Sequence, residues 1–214
     1  RPDHAAVILW LEIPAWRLTV AICYFSPHNS QVYALEHMQQ DPFSVLFAGL
    51  REAEVRGHRH IVMGDLNVRI GGLCSDVPTV VAIPPSLEDA SSLPDLHHLA
   101  AIPRGRVSLD TSLPNRHRAE TFLEGLFSAS SVVLNGRAPG DREGSHTCWS
   151  ISAMGEILGH SVVDYACVSL SLFPAVQSFQ VLPFSPATSK DHSALCLHLK
   201  GLAPRYVDLP PRRR

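Results

Sequence analysis

Behind an apolar run that stops at a glycine, an aspartate and an asparagine stand two residues apart. The stretch is His60-Ile61-Val62-Met63-Gly64-Asp65-Leu66-Asn67, and a glycine pair, Gly71-Gly72, follows. A carboxylate and a carboxamide projected together from a rigid strand end can hold a phosphate, bind a metal or handle an attacking water. A short apolar run bounded by glycine reads as a buried strand, and its period of two puts Asp65 and Asn67 on one side with Leu66 toward the core. Gly, Asp and Asn also favour turns for backbone reasons alone, so an Asx-rich turn explains the same residues. Two later stretches are of similar kind. In Ser161-Val162-Val163-Asp164-Tyr165 an aspartate lies inside an apolar strand, where a carboxylate is costly without a donor partner. In Ser189-Lys190-Asp191-His192-Ser193 an Asp-His pair precedes the last apolar run. Asp164 is therefore expected to orient His192, fixing its tautomer and favouring its charged form. Asp191, pointing the other way, is free to hold a hard divalent cation. Taken singly, Asp164 reads equally as a turn cap and Asp191-His192 as an ordinary loop pair.

These residues need elements to position them. Apolar residues at 6–11 and 18–24, broken by Ile13-Pro14-Ala15, predict two strands joined by a turn, and such a hairpin must pack on something. Asp41 as cap, Pro42 at the first position and Phe43, Val45, Leu46, Leu50 and Val55 at helical spacing predict a helix ended by Gly57. A strand at 60–63 follows, which makes a strand–helix–strand crossover. Residues 73–105 differ in character: 73–103 carry five prolines and no sustained period. They read as an insertion or long loop, with a short strand at 79–83. A helix at 116–128 follows, capped by Asn115, with Phe122, Leu123, Leu126 and Phe127 on one side. Strands are expected at 131–134, 147–150, 162–169, 179–181 and 194–200. Residues 1–200 thus form one α+β domain, a two-sheet sandwich flanked by helices, and 201–214 form a Pro/Arg-rich linker or tail.

With 214 residues, 45% of them hydrophobic and 18% charged, the chain is globular rather than disordered and long enough for a real core. A net charge of −2 gives no overall electrostatic argument for nucleic acid. No apolar run approaches the ~20 residues needed to span a bilayer. Five cysteines, odd in number and without a CxxC pair, read as buried free thiols and point to an intracellular (nuclear or cytoplasmic) compartment. The chain opens at Arg1 without a methionine and reads as part of something longer.

Order and context join the three stretches. Tyr24 before a Ser-Pro loop, then Gly64-Asp65-Leu66-Asn67, then Ser161 to Tyr165, then Ser189 to Ser193 resemble the endonuclease/exonuclease/phosphatase superfamily. Within it the sequence is most similar to the endonuclease domain of non-LTR (LINE-type) retrotransposons. Arg69-Ile70-Gly71, Asn115-Arg116, Leu134-Asn135-Gly136-Arg137, Gly140-Asp141 and Gly144-Ser145-His146-Thr147 carry that branch likeness. The resemblance implies a four-layered α/β/β/α sandwich that hydrolyses the phosphodiesters of DNA with Mg²⁺ or Mn²⁺. It gives Asp65 the attacking water and Asn67 the scissile phosphate. His192, oriented by Asp164, would stabilise developing charge, Tyr24 would hydrogen-bond the phosphate, and Asp191 would bind metal. A downstream reverse transcriptase domain in a parent protein is compatible with the resemblance, and the lack of a long apolar run gives the expectation of no membrane partner.

The resemblance has a gap. The family's first two catalytic elements, an asparagine after the first strand and a metal-binding glutamate after the second, have no counterpart ahead of Tyr24. Glu12 is the only glutamate there and is expected in the turn of the hairpin. The expectation is a fold lacking its first strands, an open apolar sheet edge, and weak metal binding with impaired cleavage. The competing readings are a non-catalytic relic or binding domain that keeps the fold, and a phosphoesterase acting on a small or lipid phosphate.

Overall fold

The structure is a computed structural model that describes residues 6–28, 30–31, 41–77, 102–187 and 189–202. The expected strand at 79–83, most of the 73–105 insertion and the tail beyond 202 lie outside those residues.

The apolar runs at the start of the chain form an antiparallel hairpin, β1 (Ala6–Ile13) and β2 (Leu18–Phe25). A 3₁₀ turn at Pro14–Trp16 joins them, with Arg17 left-handed at φ 45°. Helix α1 (Pro42–Val55) begins where Asp41 accepts the Ser44 amide at 3.1 Å and proline occupies the first turn. It returns the chain to β3 (Arg59–Asp65), which pairs parallel with β2. Helix α2 (Arg116–Ser128) is capped by Asn115, whose side chain accepts the Arg118 amide. Then come β4 (Ser131–Val133), β5 (Cys148–Ile151), β6 (Ile157–Ser161), β7 (Asp164–Ser169), β8 (Val176–Val181) and β9 (Leu195–Leu199). β6 was not expected from the sequence: its exposed Ile157, Leu158 and His160 carry no buried face to set a period.

The central sheet is mixed, in the order β1-β2-β3-β7-β4, while β5–β6 and β8–β9 are separate antiparallel pairs. The class is α+β. Both helices pack on one face of the central sheet, where Phe43, Leu46 and Leu50 of α1 meet Phe122 and Leu126 of α2 over Ala21, Cys23, Val62 and Tyr165. Aromatic rings knit this layer, with Phe43 5.4 Å from Phe25 and 5.3 Å from Phe122 between centroids. Against the other face lie the β8–β9 hairpin and a 3₁₀ stretch at Leu170–Ala175, through Leu172, Val176 and Phe179 packed on Val132, Ala166 and Val168. This second layer does not cover the outer strands: Val7, Leu9, Leu11 and Ile22 are roughly half exposed.

Several expected details change. Val45, Val55 and Phe127 fall on the solvent side of their helices, and Phe47 and Ala53 complete the buried stripe of α1 instead. Of the five cysteines, all free, only Cys23 and Cys167 are buried. Glu12 sits in β1 rather than in a turn, and its carboxylate takes Arg56 at 2.7 Å. It pairs with Thr19, at the end of β2 opposite Tyr24 and Asp65.

Gly64 is one of several glycines required by close approach to backbone. It has φ 134°, and a Cβ there would stand 2.0 Å from the carbonyl oxygen of Cys23 on the neighbouring strand. Because the obstacle is backbone, Gly64→Ala is expected to destabilise the fold by about 3 kcal/mol. A urea unfolding midpoint equal to that of the wild type would contradict this.

Candidate active site

The candidate residues converge because of strand register. β3 and β7 are antiparallel with Asp65 opposite Asp164, and β2 runs parallel to β3 with Tyr24 beside Asp65. Period-two alternation then puts Tyr24, Asp65 and Asp164 on the sheet face away from the helices. Asp164 is the first residue of β7, at the strand end rather than inside the strand as expected.

Asn67 reaches the site by a different route from the expected one. β3 ends at Asp65, so no pleat carries the alternation two residues further. Asn67 takes a left-handed φ of 45°, a conformation asparagine tolerates better than most residues. Its amide N–H donates to Asp65 Oδ1 at 2.9 Å, and its side-chain Nδ2 donates to Asp65 Oδ2 and to the Phe25 carbonyl, both at 2.8 Å. The turn and the site are the same structure, and Leu66 is fully buried beneath it.

His192 comes in from the segment before β9. Its Nδ1–H donates to both oxygens of Asp164, at 2.8 and 3.1 Å. The Asp164 carboxylate, with a smaller contribution from Cys148, pushes the imidazole pKa up to about 11. Nε2 therefore points outward as a donor. Around it stand Cys148 Sγ at 3.7 Å, Asp191 Oδ1 at 3.8 Å and Asp65 Oδ2 at 4.0 Å. Burial, then the Asp164 charge, pushes Asp65 up to about 7 against the opposing bond from Asn67. Asp191 is half exposed, and its carboxylate accepts no hydrogen bond from the described residues. Tyr24 adjoins the cluster in register and is 39% exposed, but it makes no hydrogen bond to the cluster within the described residues.

Three positioning groups carry no signal as chemistry in the sequence. Thr147 Oγ1 accepts the amides of both Val163 and Asp164, at 3.1 and 3.0 Å. Asn135, fully buried, donates to the Asp164 carbonyl and accepts the Ala166 amide. Cys148 bridges His192 as an isolated β-pair, with Trp149 N–H to Asp191 O at 2.7 Å and Ser193 N–H to Thr147 O at 2.8 Å beside it. Thr147 and Asn135 belong to the branch motifs noted above. Their visible signal was a polar residue at the end of an apolar run, which says nothing of what it braces.

Asp65, Asp164 and His192 each place a ligand atom within 4.8 Å of the others. Asp164 is occupied by His192, which leaves Asp65 as the remaining carboxylate of that group; Asp191, expected as the metal ligand, is not part of it, though its Oδ1 lies 3.8 Å from His192 Nε2. Carboxylates suit a hard divalent ion in kind, although such an ion wants about six oxygens.

No protein-family model matches the sequence, and no curated protein does. Solved structures do match. A 3′-5′ exonuclease, NExo, from Neisseria meningitidis aligns over 90% of this chain and 64% of its own, with a TM-score of 0.55 and 13% identity. A Neisseria NExo 3′ phosphatase structure with product DNA hairpin aligns over 91% and 65%, with a TM-score of 0.54 and 13% identity. The fold is of the endonuclease/exonuclease/phosphatase type. The endonuclease domain of TRAS1, a telomere-specific non-LTR retrotransposon, also aligns, over 92% and 64%, with a TM-score of 0.48 and 12% identity. The chain thus spans just under two thirds of the length of each of these structures. Among the described residues no helix is long and apolar enough to cross a membrane.

Proposed function

We propose that this chain carries a divalent-metal-dependent phosphodiesterase site of the DNA endonuclease type, of retrotransposon kind. The observation that carries the proposal is the meeting of Asp65, Asn67, Asp164 and His192 at adjoining strand ends. A His paired to one carboxylate there faces a second carboxylate that ionises near neutrality. Asp65, at about 7, is suited to take the proton of an attacking water. Asn67 holds Asp65, and it would meet the scissile phosphate by giving up one of its two Nδ2 bonds, to Asp65 or to the Phe25 carbonyl. His192, kept charged by Asp164, donates from Nε2 to the phosphate oxygen on which charge develops. Tyr24 hydrogen-bonds the phosphate from the adjoining strand. A Mg²⁺ or Mn²⁺ ion held by Asp191 would neutralise phosphate charge.

Because Asp164 is committed to His192, the 214-residue chain by itself is expected to bind Mg²⁺ weakly and to cleave slowly. That donor set also favours the second reading, a scaffold that binds without turnover. Nicking of supercoiled plasmid in Mg²⁺ or Mn²⁺, lost in Asp65→Ala, would support hydrolysis. Tight Mg²⁺ binding by calorimetry would overturn the expected weakness. The rate is expected to rise with pH through about 7 as Asp65 ionises, and a profile flat from pH 6 to 8 would remove Asp65 from the proton-accepting role.

A further inference from the structure

Beside the cluster, and sharing Asn67 with it, lies a cavity of ≈ 290 Å³ walled by Pro27, His28, Arg69, Asn115, Arg118 and Val163, the residue before Asp164. Its charge is one-sided. Among the described residues no carboxylate lines it. Arg69 is already bound to Asp110, which also accepts the Val162 and Ser112 amides, so that pair forms a rigid and nearly neutral wall. Arg118 has no such partner. Its guanidinium stacks 4.4 Å over the Phe43 ring and makes no ion pair within the described residues. Its Nε and Nη2 are shielded from solvent and meet no hydrogen-bond acceptor among the described residues. As the side chain lies those two nitrogens are out of reach of an incoming anion, so what Arg118 offers the cavity is a cationic charge with no carboxylate paired to it among the described residues. The first turn of α2, thirteen residues long and capped by Asn115, adds the positive end of its dipole to the same wall. The proline and valine surfaces give a sugar an apolar seat.

We infer that this cavity is an anion subsite that takes a neighbouring phosphodiester of a nucleic-acid strand whose scissile phosphate lies at Asp65 and His192, with Arg118 as its charge anchor. This rests on the phosphodiesterase reading for the position of the strand, but the anion site itself does not require turnover. The test has two arms on the full chain. In the first, inorganic phosphate is titrated by ¹H–¹⁵N NMR, with shifts expected at the amides of Arg69, Asn115 and Arg118. In the second, duplex DNA binding is measured against salt. Arg118→Gln is expected to lower the slope of log K against log salt by about 0.9, one phosphate contact, while Arg118→Lys keeps most of it. Asp65→Asn is the common background for the DNA arm, so that wild-type and variant Arg118 are compared without cleavage of the duplex. Phosphate shifts with the slope loss, but no plasmid nicking in any metal, would uphold the subsite and sink the hydrolase reading alone. Phosphate shifts with an unchanged slope would mark a free-anion site and overturn the nucleic-acid assignment. No shifts at those amides would overturn the subsite outright, a result the wild-type chain delivers even if Arg118→Gln fails to fold.

Discussion

Replacing Asp164 with asparagine is expected to lower phosphodiester cleavage by about 10³-fold while leaving the fold in place, in line with the usual size of acid–base and orienting contributions. Asparagine matches aspartate in shape, so the β7 backbone bonds to Thr147 and Asn135 survive. What is lost is the carboxylate that accepts from His192 Nδ1 at 2.8 Å. The imidazole then loses its charge partner and its fixed tautomer, and Nε2 ceases to be a reliable donor. Plasmid nicking measures the loss. A second readout does not depend on turnover. The folded state raises His192 from 6.5 to about 11, so the pair contributes stability in full below pH 6.5 and loses it as pH climbs toward 11. Wild-type stability by urea unfolding should therefore decline from pH 7 to pH 10 through this pair, and in Asp164→Asn the decline should be shallower. Parallel pH curves for the two proteins would show that Asp164 does not hold the proton on His192.

Asp76→Ala is expected to destabilise the fold by about 3–5 kcal/mol, the cost of stranding a buried charge. Both Asp76 and Arg137 side chains are fully buried, joined in a fork at 2.8 and 3.0 Å. Asp76 also accepts the Val133 amide at 2.8 Å, and Arg137 donates to the Val133 carbonyl at 2.6 Å. The pair clamps the end of β4, and β4 pairs with β7, the strand that begins at Asp164. Removing the carboxylate leaves a guanidinium in a dry interior with one carbonyl for company. A urea midpoint within about 1 kcal/mol of the wild type would show that water or a rearranged neighbour replaces Asp76. Asp76→Ala with Arg137→Met in the same chain should recover much of the loss, because the uncompensated charge, rather than the missing pair, dominates the cost.

The candidate site was legible in part. Asp65, Asn67, Asp164, Asp191 and His192 stood out because each is a polar residue where an apolar run begins or ends, and such interruptions need a reason. Helices α1 and α2 were legible for a related cause: Asp41-Pro42 and Asn115 satisfy the first amides of a helix through local chemistry that nothing distant alters. The α+β class follows from strands and helices alternating in that order.

Other features depended on which strands become neighbours. Only the tertiary structure puts Asp65 opposite Asp164 and Tyr24 beside Asp65, because register is a relation between segments about forty and one hundred residues apart. Only it shows that Asn67 meets Asp65 through a turn, because alternation lasts no longer than the strand that imposes it. It also decided the braces. Thr147, Asn135, Cys148 and Asp76 have ordinary residue types and act through the backbone groups or ring they happen to meet. The sequence by itself determined which groups are capable of the chemistry, since that is a property of side chains. Their distances, the raised pKa of Asp65 and the charge on His192 came from the fold, since burial and pairing exist only once the chain has closed on itself.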